Sequence, residues 1–159
     1  MLLVLTAVLT GLPTGLPTGL PPDSPVVREM YKTHCEHRAA RGLPPQILSP
    51  RLCAAAHAWS SEQRRRGRME HSGMRAAENV AWGYRSGPAA VRGWMGSPGH
   101  RANLLGPHTH VGFGVAGSYY TSLHSGSAAA LGKPRAPGAS MSRRKRIRRF
   151  RGFRGRRLP

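Results

Sequence analysis

The chain of 159 residues is short of acid: six Asp and Glu stand against 25 Lys and Arg, and none of the six lies beyond Glu78. Any site assembled with later segments must therefore do without a second carboxylate from them. Cysteine is scarcer still. Cys35 and Cys53 allow at most one bridge, in an oxidising compartment, and exclude both a disulfide framework and a cysteine-rich zinc pattern. No His-x-x-x-His pair occurs among the eight histidines, and no Gly-x-Ser-x-Gly, so the short signatures of helical zinc hydrolases and serine hydrolases are absent. The apolar opening "MLLVLTAVLTGLP" is too short to span a bilayer.

That opening has the length of a secretory apolar region but lacks a basic start and an Ala-x-Ala site. Export is the expectation, and "GLPTGLPTGLPP" reads as a spacer that cannot pack. Residues 1–25 are thus a candidate signal peptide and linker, 26–124 a folded domain, and 125–159 a disordered basic tail. Twelve of the 25 Lys and Arg fall between Lys133 and Pro159. Arginines there neutralise phosphates, and Phe150 and Phe153 suit stacking on bases or dipping into a bilayer interface. The tail is accordingly a candidate binder of nucleic acid or an anionic surface; a solvated tail without a partner is the plainer alternative.

Within the domain, Val27, Met30, Tyr31 and His34 recur at helical spacing, and "ARGLPP" ends that segment. A second helix starts at Ser49-Pro50, buries Leu52, Ala55, Ala56 and Trp59, and frays in "RRRGR". Val80, Trp82 and Tyr84 alternate, which predicts a strand over 79–84. "GPAAVRGWM" predicts a third helix with Val91, Trp94 and Met95 inward. In "GWMGSPGHRANLL" Ser97 caps a short fourth helix through its side-chain oxygen, Pro98 fits the first helical position, and His100 and Leu104 share a face. Val111, Phe113 and Val115 then turn at 116–118 into Tyr119–Leu123, a hairpin. The order predicts an α+β fold: an α-β-α sandwich with a small antiparallel sheet flanked by helices.

Three polar residues stand beside apolar segments where packing alone would not call for them: His71, Glu78 and His100. Two imidazoles and a carboxylate suit a divalent ion such as zinc, with His71 and His100 as ligands, and they equally suit a hydrogen-bonded cluster that fixes loops. Spacing leaves both open. A serine nucleophile at Ser72 or Ser97 and a thiol nucleophile at Cys35 beside His34 find no support in the motifs. His37 and His57 read as surface or core-edge residues, and His108 and His110 as loop residues.

"HCEHRAARGLPP", "MEHSGMRAAENVAWG", "VRGWMGSPGHRANLL" and "HVGFGVA" with "YYT" together resemble the successive blocks of the CAP superfamily, or SCP domain. That superfamily comprises the cysteine-rich secretory, antigen 5 and pathogenesis-related proteins, and the similarity is greatest to its short bacterial members. The resemblance spans about residues 27–123. It implies a cleft lined by two histidines and two acids, of which His71, Glu78 and His100 match three; Ser97 stands where the second acid is expected. It implies a secreted, non-enzymatic domain binding a lipid-like or cell-surface ligand, with a divalent cation as an open addition. A metal-dependent hydrolase with Glu78 as base is the competing reading. Two departures stand out: the first block usually reads His-Asn-x-x-Arg, whereas His34 and Arg38 flank no asparagine here, and the last strand usually continues with Gln and an aromatic.

Overall fold

A computed structural model describes residues 23–127. The apolar N-terminal run and the arginine-rich segment fall outside the described residues.

Each helix begins at a serine with a proline in its first two positions. α1 (Pro25–Ala39), α2 (Pro50–Arg66) and α3 (Gly87–Gly96) are capped by Ser24, Ser49 and Ser86, whose hydroxyls accept from the amides of Val27, Leu52 and Ala89. Each serine satisfies an amide that has no partner inside the helix, and the proline withholds one that would need none. α4 (Pro98–Leu105) departs from this. Ser97 holds the cap position, but its hydroxyl makes no capping bond. Its backbone serves two helices instead: its amide donates to Trp94 at the end of α3, and its carbonyl accepts from Arg101 in α4. The expected side-chain cap is therefore absent, and Ser97 joins α3 to α4 through its backbone alone. α2 does not fray either. Gly67 adopts φ 65°, and the amides of Gly67 and Arg68 return to the carbonyls of Arg64 and Gln63, closing the helix with a left-handed glycine.

Four strands form one mixed sheet in the order β1-β3-β4-β2, from β1 (Ile47–Leu48), β2 (Ala77–Trp82), β3 (His110–Ala116) and β4 (Tyr119–Ser125). Three are antiparallel as expected; β1 runs parallel to β3 and carries no sequence signal of its own. Two residues cannot show a period, and their partner lies some sixty positions away. β2 lies two residues earlier than the alternation predicted, because Gly83, at φ 84°, turns the chain and donates to Ser118. β4 runs two residues past Leu123 and is buried throughout.

α2 covers one face of the sheet. Gly112 and Gly114 make this possible, since a Cβ at either would lie 2.2 and 2.1 Å from backbone atoms of Leu52 and His57. Leu123 packs with Leu52 and Ala56 on that side. On the other face Phe113, Val111 and Tyr120 join Val27, Met30, Val91 and Trp94 in the main core. The result is the expected α+β sandwich, with α1, α3 and α4 opposite α2.

Candidate functional site

The segment after α2 carries His71, and its backbone is held on two sides. The indole of Trp59 donates to the Glu70 carbonyl at 2.9 Å, and the Glu70 amide donates to Gln63 Oε1 at 3.2 Å. Arg66 pairs with both Glu62 and Glu70 and lies over the Trp59 ring, which tethers the Glu70 side chain as well.

From there Nδ1 of His71 donates to Oε2 of Glu78 at 2.9 Å, and the Ser72 amide donates to the same oxygen at 2.9 Å. The Ser72 hydroxyl accepts from the Met74 amide and helps to build the turn. Glu78 is set in β2, and only 7% of its side chain is exposed, whereas His71 is 62% exposed. The other carboxyl oxygen, Oε1, is buried and has no partner among the described residues. The hydrogen bond to Glu78 holds the His71 imidazole above its ordinary pKa, against the pull of its partial burial, and the attraction of the carboxyl charge adds to it.

His100 enters from α4. Burial lowers its pKa, and the positive charge of His71 lowers it further. Two amides tie its helix to the strand that carries Glu78. Asn79, fully buried, donates through Nδ2 to the His100 carbonyl at 3.2 Å. Asn103 donates to Asn79 Oδ1 at 2.9 Å and to the Glu78 carbonyl at 3.2 Å. β2 and α4 are therefore latched together beside the two side chains that they contribute. The latching roles of Asn79 and Asn103 were not legible from motif spacing, although both residues lie within the CAP-like blocks.

The fourth position, Ser97, brings a hydroxyl in place of an acid, at the α3–α4 junction. Among the described residues no three of His, Cys, Asp or Glu are grouped closely enough to hold a metal ion. Glu78 Oε2 is already engaged by His71 and Ser72, and the unmet Oε1 is not grouped with both imidazoles closely enough to complete a site. These residues do not fit a zinc centre, whose sites supply three or four protein ligands.

The three segments bearing His71, Glu78 and His100 fall in one stretch that matches a known sequence profile: residues 31–124 match the cysteine-rich secretory protein family, CAP. The chain belongs to the CAP family. Among curated proteins, this CAP chain is 54% identical over 49 residues to the uncharacterized membrane protein YlbC of Bacillus subtilis, covering 30% of this chain and 14% of that one. It is 31% identical over 104 residues to the uncharacterized protein YkwD of the same organism, covering 53% and 40%. The chain thus spans well under half of either relative. Among solved structures, an extracellular SCP-domain protein from Bacillus anthracis superposes with TM-score 0.58 at 25% identity, over 62% of this chain and 39% of that one. An outer surface protein from Borrelia burgdorferi shares the fold, with TM-score 0.56 at 13% identity over 67% and 96%. These structural neighbours are extracellular or outer-surface proteins, and no helix among the described residues is long and apolar enough to cross a membrane.

Proposed function

We propose that this CAP domain works outside the cytoplasm as a ligand-binding module without turnover, and that its cleft at His71, Glu78 and His100 receives the polar head of a lipid-like or cell-surface ligand. One observation carries the reading. Oε1 of Glu78 is withdrawn from water and met by no donor, while Oε2 is fully anchored. Leaving a carboxyl oxygen in that condition costs on the order of 1–3 kcal/mol or more. A hydroxyl or amine of a ligand that donates to Oε1 recovers that cost. The imidazoles of His71 and His100 flank the head, and Met74 and Ala76, packed near Leu52 and Leu123, offer apolar surface for a short hydrocarbon portion.

Hydrolysis is disfavoured by the same geometry. Glu78 would have to serve as both metal ligand and base, and Ser97 supplies no second carboxyl to divide those roles. The test is a titration of the full chain with monopalmitoylglycerol, followed through the His71 and His100 ring protons by NMR. Both resonances shift in the parent chain, and the shifts are lost in Glu78→Gln. Unmoved imidazoles overturn the reading. Ester turnover abolished by His71→Ala replaces it with the hydrolase.

A further inference from the structure

The end of the sheet away from the cleft gathers aromatic and cationic side chains around the β3–β4 turn. Trp82, 61% exposed, closes β2 with its ring 6.3 Å from that of Tyr119. The amide of Gly83 donates to Ser118 at 3.0 Å, binding the 82–85 segment to the turn. Tyr84 follows, also exposed, held through its carbonyl by the Tyr120 hydroxyl. Arg64, from the end of α2, lies across Gly117 in the turn, with its side chain 3.4 Å from where a Cβ would stand. Arg85 extends from the same segment. Both arginines are exposed, and neither forms an ion pair among the described residues, unlike Arg65, Arg66 and Arg68 beside them on Glu62 and Glu70. Trp82 and Glu78 share one face of β2, four residues or roughly 13 Å apart, so this tip is separate from the cleft.

A tryptophan left mostly in water on a six-residue edge strand is costly for the fold alone, since its large apolar area gains nothing there. Trp and Tyr at one rim with unpaired arginines match the two layers of a bilayer surface: the interfacial zone that takes amphipathic rings, and phosphates that take guanidinium groups. The field favours the same partner. Residues 23–127 hold thirteen Lys and Arg against six Asp and Glu, and the sequence has no acid beyond Glu78 to oppose them near the turn.

We propose that the β3–β4 tip is a docking surface for an anionic lipid bilayer, with Trp82 entering the interfacial zone and Arg64 and Arg85 meeting lipid phosphates. This docking is carried by the folded domain, separately from any binding by the arginine-rich segment beyond it. It does not depend on the cleft.

The chain carries its own reporter. Of three tryptophans, Trp59 and Trp94 are buried, so the emission difference between the parent chain and Trp82→Phe isolates Trp82. The full chain is mixed with vesicles of phosphatidylglycerol and phosphatidylcholine, with vesicles of phosphatidylcholine alone, and with soluble heparin. The expected result is a blue shift of the Trp82 emission and its quenching by brominated acyl chains, with the anionic vesicles only. Both effects fade as salt rises from 0.1 to 1 M, where the screening length falls from about 10 to 3 Å. They are also lost in the double variant Arg64→Glu, Arg85→Glu. Vesicle binding with Trp82 unmoved assigns the association to the arginine-rich segment and overturns the proposal. An equal shift with phosphatidylcholine alone, or a shift with heparin and none with vesicles, overturns it as well.

Discussion

The imidazoles of His34 and His124 share a single acceptor, Oε1 of Gln46, at 3.2 and 3.0 Å. One ring comes from α1 and the other from β4, ninety residues later, and both are fully buried. The Ser122 hydroxyl meets the second nitrogen of His124 at 3.0 Å. With Nε2 of His34 and Nδ1 of His124 donating, both rings are neutral. His124 packs edge-on to Phe113.

This cluster predicts acid sensitivity. Burial pushes His34 down to about 4, with the Arg38 guanidinium and His37 adding repulsion. Burial also holds His124 well below its ordinary value, helped by His34, His108 and Arg38. Both pKa values are depressed on folding, so the unfolded chain binds more protons. Stability is then full above about pH 6.5 and is lost as pH falls from there towards 4, by about 3 kcal/mol for His34 alone. Urea unfolding at pH 7.5 and pH 4.5 measures the loss. In His124→Phe that difference narrows; a variant with the parent's full pH dependence shows that His124 is not one of the titrating groups.

The Asn79–Asn103 latch gives a second expectation. Asn103→Ala orphans the Glu78 carbonyl and Asn79 Oδ1, at a cost of about 1–3 kcal/mol in denaturant unfolding. With only the Asn79–His100 bond of the latch left between β2 and α4, the influence of His71 on His100 weakens, and the His100 pKa rises towards its ordinary value. An NMR titration reads this directly. A destabilised variant with an unchanged His100 titration shows that the latch is structural only.

Close approach of α2 to the sheet gives a third. Gly114→Ala drives a methyl group into the backbone at Ala56 and His57, which cannot yield as a flexible side chain does. The expected loss is on the order of 3 kcal/mol. Gly96→Ala, where nothing lies within 4 Å, is the control and shifts the urea midpoint little. Equal midpoints for the two variants would mean that the α2–sheet contact is looser than the geometry described.

Helices were legible in the sequence because their signals are local: a serine, a proline and apolar residues at helical spacing lie within one or two turns. The hairpin was legible for the same reason, through alternation and one glycine turn. His71, Glu78 and His100 stood out as polar groups beside apolar segments, and the resemblance to CAP blocks gave them an order. Only the tertiary structure decided the rest. β1 depends on a parallel partner some sixty residues away, and His34 is packed against rings that arrive from β3 and β4. Ser97 ends one helix and begins the next, and its hydroxyl makes no capping bond. Glu78 is engaged at one oxygen and unmet at the other only because a loop tied down by Trp59 and Gln63 delivers His71 and Ser72 to one side of it. Local chemistry is written in spacing, whereas burial and pairing depend on what arrives from elsewhere in the chain.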